Sequence, residues 1–298
     1  VPLMTQSCVL CRPARNTMGE VMTQIDKDLA DAKTLLPPIS AVTNAHDTVM
    51  NALNVTGYQA RIALYKRDYQ GAIDAATTVI ASGQKPLVSG TAFTGIWTDA
   101  NRNEILFRRR YETSTGIGGL WTTTGGDIYI APSDKLIAAY ETGDIRRTAY
   151  IGYNTNGAPY VNKFFTSSKG GRIVDMKAMR MAEMYLIRAE AYAKLPSPNV
   201  AAGRADLNAL QTARNATLSN PTTAQELVDA VMLERFKELA FEGFRFWDLK
   251  RNMLPVQRLA SDANAEWQTL PVNSFRWVMP IPRQEIIANP NTVQNPGY

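Results

Sequence analysis

Apolar residues recur at helical spacing along most of this chain, and the polar, proline and glycine breaks between them mark where one helix stops and the next begins. Met181, Met184, Tyr185, Ile187, Ala189 and Tyr192 share one wide apolar face, with Arg188 and Glu190 set off it, so this segment predicts a helix that buries one side. Pro196 and Pro198 cannot continue it. Ala201, Ala205, Leu207, Leu210 and Ala213 then form a second stripe, and the two helices make a hairpin. A third helix opens at Thr223 and Glu226, which have capping-box spacing. Its stripe is Leu227, Ala230, Val231, Leu233, Phe236, Leu239 and Ala240, and Gly243 stands where a left-handed C-cap is expected.

The N-terminal half repeats the arrangement. Thr17 and Glu20 form another capping box, followed by Met18, Val21, Met22, Ile25, Leu29, Ala32 and Leu36 and stopped by Pro37 and Pro38. Residues 51–83 read as two helices joined near Arg67 to Tyr69. One constant offset of 129 residues places Ala60, Ala63 and Ala72 over Ala189, Tyr192 and Ala201. Small residues where helices cross are the mark of tetratricopeptide-like hairpins, which stack because none buries its face alone. The expected fold is therefore mainly α, with such hairpins as the scaffold and irregular loops and a few short strands inserted.

Between the hairpins the composition changes. Ile105, Leu106 and Phe107 read as a strand with Trp97 packed beneath it, and Phe107 to Tyr111 (FRRRY) as a solvated edge. The glycine- and threonine-rich run from Gly116 to Ser133 carries Trp121 and Tyr129 and predicts a loop with exposed rings. Lys163-Phe164-Phe165 gives a short strand, and near the end FRWVMPIP reads as strand-like before a short helix at Glu285.

Charge gathers at the third long helix. Glu234, Arg235, Glu238, Glu242, Arg245, Asp248 and Arg251 alternate with Phe244, Phe246 and Trp247. A paired-carboxylate active site needs one acid with a raised pKa beside an open cleft. The other reading is a buried ion-pair network, and the number of arginines among the acids favours it.

The segment ERFKELAFEGFRFWDLKR, preceded by MAEMYLIRAEAYAKL and ADLNALQTARNA and followed by MPIPRQEIIANPNTVQNPGY, resembles the SusD/RagB family. The resemblance implies a nutrient-binding lipoprotein on the outer membrane of Bacteroidetes, surface-exposed and lipid-anchored, which passes oligosaccharide to a SusC-like TonB-dependent transporter. It implies no catalytic residue, metal or cofactor, and an architectural role for the charge cluster. Some relatives capture peptide instead, and a helical-repeat adaptor for another protein is a further alternative. Family members begin with a signal peptide and a lipidated cysteine, neither of which this sequence displays, and VPLMTQ resembles an interior family segment. The expectation is one SusD-like domain over 1–298 that lacks its N-terminal portion. Within it, repeat parts at 17–83 and 176–252 flank a ligand-face insertion at 87–175, and 253–298 closes the fold.

Composition narrows the field further. No run of 18 or more apolar residues suggests a membrane span. The net charge of +5 is spread over 32 basic and 27 acidic residues without a basic tract, which argues against nucleic acid. Cys8 and Cys11 form a CxxC, but a second pair is wanting and the single histidine, His46, stands alone in a polar loop, so a local disulfide or two idle thiols is expected rather than zinc or redox chemistry. No hydrolase, phosphate-loop or dinucleotide fingerprint is present. Aromatic rings cover the C–H face of a sugar while polar groups bond its hydroxyls. Tyr111, Trp121 and Tyr129 with Arg109 are the candidate ligand residues on that ground, the alternative being that the rings pack beneath their own loop.

Overall fold

The computed structural model describes residues 2–8, 10–42, 47–113, 116–123 and 126–298. His46 lies outside them, as do Thr124 and Gly125 of the glycine-rich run. Cys8 and Cys11 are joined as a disulfide.

Helix α1 (Met18–Leu35) begins at the expected capping box: the Thr17 hydroxyl accepts from the Glu20 amide and the Glu20 carboxylate accepts from the Thr17 amide at 2.8 Å. None of its residues is buried, and Met18 and Leu35 are open to solvent. Helices α2 (Ala52–Lys66) and α3 (Tyr69–Ala81) form a hairpin that turns at Arg67, which takes the left-handed conformation. Then come α4 (Gly90–Trp97), β1 (Ile105–Arg109), α5 (Asp134–Ala139) and α6 (Arg146–Tyr150). Two short hairpins follow, β2 (Ile151–Tyr153) with β3 (Pro159–Val161) and β4 (Thr166–Ser167) with β5 (Gly170–Gly171). Strand β6 (Met176–Arg180) runs directly into α7 (Met181–Lys194), and α8 (Val200–Ala213), α9 (Ala224–Glu238) and α10 (Arg245–Arg251) complete the helical body. A last hairpin of β7 (Val256–Gln257) and β8 (Thr269–Leu270) precedes α11 (Arg283–Ala288).

The fold is mainly α, with tetratricopeptide-like hairpins as its scaffold. Helix α3 packs on α7, which packs on α8 and α9, so the two hairpins stack although more than 80 residues lie between them in the chain. Pairing of β1 with β6, Ile105 opposite Arg180 and Arg109 opposite Met176, makes this stacking feasible. It draws the two ends of the insertion together and delivers the chain to the start of α7. Ala60 and Ala189, matched by the repeat, are both fully buried. Gly203 sits where α8 crosses α7: a Cβ there would lie 2.9 Å from the Ala189 carbonyl oxygen and 2.5 Å from Leu227. A second core, under the insertion, gathers Phe93, Trp97, Ile105, Tyr150 and Phe164, and places Trp97 beneath the strand as expected.

Several local expectations are corrected. The third long helix ends at Glu238, and Gly243, although its φ is +83°, is not the cap. The carbonyls at that end are satisfied instead by buried donors: Lys163 Nζ donates to Glu238 O and Ala240 O, Arg180 Nη2 and Tyr150 OH to Glu238 O, and Tyr140 OH to Lys237 O. Lys163 and Phe164 belong to a 3-10 turn, Asn162–Phe164, capped by Phe165, rather than to a strand. A strand would point Lys163 and Phe164 to opposite faces, whereas both are buried here. FRWVMPIP contains a 3-10 turn at Phe275–Trp277 in place of a strand, curled by bonds from Trp277 Nε1 to Pro271 O and from the Arg276 amide to Ser274 Oγ. The solvated edge at FRRRY holds for Arg109 and Arg110 only, because Arg108 is buried between Asp47 and Asp175. Glu190, placed off the apolar face by periodicity, is fully buried against Arg251.

Candidate functional site

The end of α9 has two sides with different chemistry. Its inner side carries the charge network. Glu238 is fully buried; its carboxylate accepts from Arg180 Nη1 at 2.7 Å, Arg214 Nε at 3.0 Å and Arg146 Nη1 at 3.1 Å. Burial alone would raise its pKa, but the guanidiniums of Arg214, Arg180 and Arg146 outweigh it and hold the carboxyl well below the usual range. Arg214 also bonds Glu104 at 2.7 Å, and Arg146 bonds Asp144 at 2.8 Å and Glu234. Glu242 takes Lys163 and Arg180, each at 2.7 Å. A second knot joins Asp248 to Arg235 and Arg251, each at 2.8 Å, and Arg251 to Glu190. Burial opposes ionisation of Glu190, yet Arg251 and Lys194 pull its pKa down to about 2. Lys163, between the rings of Trp97 and Tyr150, has its pKa lowered to about 7, by burial first and despite Glu242.

Six of the seven charged residues singled out on sequence are thus in buried or nearly buried ion pairs: Glu234, Arg235, Glu238, Glu242, Asp248 and Arg251. Arg245 differs. It forms no ion pair among the described residues; its guanidinium lies over the Phe236 ring at 4.7 Å, and burial pushes its pKa down. Several network members escaped the sequence reading. Arg180, Lys163 and Glu104 come from outside the helices, and Arg214 and Glu190 lie in segments read for their apolar faces. Arg180 had a visible signal, a cation between Met179 and Met181.

The outer side of the same segment forms a wall of a cleft of about 760 Å³. One wall is the insertion, with Tyr111, Ile117, Leu120 and Trp121; the other is the turn from α9 to α10, with Phe236, Phe241, Phe244, Arg245 and Phe246. Positive φ at Phe241 and Gly243 reverses the chain, so that three phenylalanines within six residues face the same opening. Trp121 stacks on Phe164 with planes 14° apart and meets Phe241 edge-on, which fixes its indole while leaving part of it in the cleft.

The four candidate ligand residues are only partly brought together. Tyr111 and Trp121 line the cleft. Arg109 is exposed and lies over the Tyr111 ring at 5.2 Å, outside the lining. Tyr129 is tied to Trp121 by a backbone bond of 2.9 Å, but its ring is 65% exposed and does not line the cleft. On the opposite wall, Phe244 and Phe246 were read from sequence as neighbours of the charge cluster and Phe236 as part of a helix stripe, none of them as ligand surface. The recurrence of phenylalanine at 241, 244 and 246 around Gly243 is the feature that could have indicated it.

A stacked helical-hairpin scaffold carrying an aromatic cleft between an inserted loop region and a helix turn is the class of architecture these features define. The chain belongs to the SusD family, which matches residues 108–298. It is 24% identical to a SusD-like protein of Formosa agariphila, over 95% of this chain and 66% of that protein. A SusD superfamily protein from Bacteroides vulgatus superposes with a TM-score of 0.82 at 26% identity, covering 98% of this chain and 68% of that one. A SusD-like carbohydrate binding protein, also from Bacteroides vulgatus, superposes with a TM-score of 0.78 at 25% identity, covering 98% and 69%. The chain therefore spans about two thirds of the length of these relatives.

Proposed function

We propose that this protein is a surface binding protein of the outer membrane that captures oligosaccharide in the cleft between Trp121 and Phe244, without transforming it, and hands it to a SusC-like TonB-dependent transporter. The observation that carries the reading is the cleft itself: opposed aromatic walls with a few polar groups at their edge suit the C–H faces and hydroxyl edges of sugar rings. The carbohydrate-binding relative from Bacteroides vulgatus supports the ligand class. Capture without catalysis agrees with the electrostatics. Glu242, the carboxylate nearest the cleft, is taken up by Lys163 and Arg180, and Glu238 is held below the ordinary carboxylate range, so neither offers the raised pKa of a general acid. Tyr111 and Trp121 are the ring contacts on the insertion side, with Arg109 steadying Tyr111 and Tyr129 at the exposed edge.

Titration calorimetry against panels of oligosaccharides and peptides tests this. Binding of at least one oligosaccharide, weakened by Trp121→Ala and accompanied by no change in the saccharide's length, is expected. Binding to peptides alone would move the chain to the peptide-capturing reading, and shortened saccharide products would make it an enzyme. Co-purification with a TonB-dependent receptor from the native membrane checks the delivery step.

A further inference from the structure

The polar groups of the cleft are unbalanced in kind. Apart from the hydroxyls of Tyr111 and Ser133, its lining offers two guanidiniums, Arg235 and Arg245, and one carboxylate, Glu242. The carboxylate is closed to a ligand because Arg180 and Lys163 hold its oxygens. The guanidiniums are not closed in the same way. Arg245 makes no hydrogen bond or ion pair among the described residues; its guanidinium lies over the face of Phe236, with Asp248 the charge that acts on it. Arg235 gives Nε to Asp248 at 2.8 Å, while its Nη1 is buried without a partner. The buried Nε1 of Trp121 is likewise unpartnered. These are all donors.

Hydroxyl groups of a neutral saccharide donate as well as accept, so a neutral-sugar site gains from open side-chain carboxylates or amides beside its donors. This lining has neither. A guanidinium partly desolvated among rings, with Asp248 near but not bonded to it, leaves its donors unmatched, and an oxyanion that fits its fork supplies two charge-assisted bonds. We infer that the cleft takes an anionic saccharide, one bearing a carboxylate or a sulfate ester, whose oxyanion pairs with Arg245 while its ring lies against the aromatic wall. This rests on the reading of the cleft as a saccharide site.

Calorimetry on the 298-residue chain with three length-matched oligosaccharides, neutral, uronate-containing and sulfated, tests it. One of the anionic ligands should bind at least tenfold more tightly than the neutral one, and which one it is separates carboxylate from sulfate. The preference should shrink as sodium chloride is raised, vanish in Arg245→Gln and survive in part in Arg245→Lys, with both variants checked for native circular dichroism. Equal binding of neutral and anionic ligands, unaffected by Arg245→Gln, would overturn the inference and leave oligosaccharide capture standing. Binding of no saccharide would overturn both. Should Arg245→Gln fail to fold, carboxyl-reduced and desulfated forms of the preferred ligand decide on the native chain, since undiminished binding of the reduced form sinks the inference.

Discussion

The two sides of the α9 terminus are built from interleaved residues and solve opposite problems. Inward, Glu234, Glu238 and Glu242 face Arg146, Arg180, Arg214 and Lys163, and each carboxylate has a cation at hydrogen-bond distance. Outward, Phe236, Phe241, Phe244 and Arg245 face an opening, with Arg245 in no ion pair among the described residues. The lesson is that charge density in a sequence does not locate function. A network whose carboxylates are each matched by buried cations has little capacity left for a ligand. The less charged side, where donors and rings are left over, is the one able to bind.

The largest effect that would sharpen this contrast is expected at Glu238. Glu238→Ala leaves three buried guanidiniums short of a partner and should cost about 3–5 kcal/mol, read by urea denaturation, whereas any surviving folded protein keeps its ligand affinity. A large loss of affinity with little loss of stability would reverse the assignment of the two sides.

Acid should act on the inner side next. The pKa of Glu190 falls from 4.5 to about 2 on folding, so its ionised form contributes stability fully present above pH 4.5 and lost as pH falls through 2. The contribution is about 3 kcal/mol at neutral pH, from roughly 1.4 kcal/mol per unit. Melting temperature followed from pH 5 to pH 2 should fall less in Arg251→Gln, where the stabilising partner is already removed.

Gly203→Ala probes the scaffold beneath both sides. Its methyl group must push aside Leu227 or the Ala189 carbonyl, at a cost of about 1–3 kcal/mol in thermal or denaturant unfolding. Full stability in that variant would show that α7 and α8 can separate more easily than their crossing suggests.

On the outer side, Trp121→Ala should weaken ligand binding about tenfold or more, as loss of a central ring does at binding surfaces. Arg109→Ala should change it least, by less than about threefold, because an exposed cation over a ring contributes only about 0.5–1 kcal/mol. A ranking in which Arg109 outweighs Trp121 would shift recognition out of the cleft and onto the exposed edge of the insertion.

Much of the helical scaffold could be read before any coordinates. The capping boxes at Thr17 and Thr223 place the first residues of α1 and α9, since the cap is a bond between neighbours in the chain. The turn at Arg67 and the repeat that overlays Ala60 on Ala189 are equally local, one a break in periodicity and the other a demand for small volume at a helix crossing. The cleft was legible by halves: Tyr111 and Trp121 were visible as rings in a loop, but the opposing phenylalanines were not visible as a wall.

What tertiary structure alone decided is where long-range partners override local preference. The end of α9 is set by Lys163, Arg180 and Tyr150 reaching its last carbonyls from other elements, so Gly243 is free to turn the chain rather than cap it. Lys163-Phe164-Phe165 gives up a strand for the same reason, because the lysine has to enter the core on the side where those carbonyls lie. Glu190 is polar by periodicity and buried in fact, since Arg251, 61 residues further on, brings the counter-charge to it. Periodicity and caps depend on neighbours three or four residues apart and are written into the sequence. Pairing of buried charge depends on which distant segments meet, and only the folded chain supplies that.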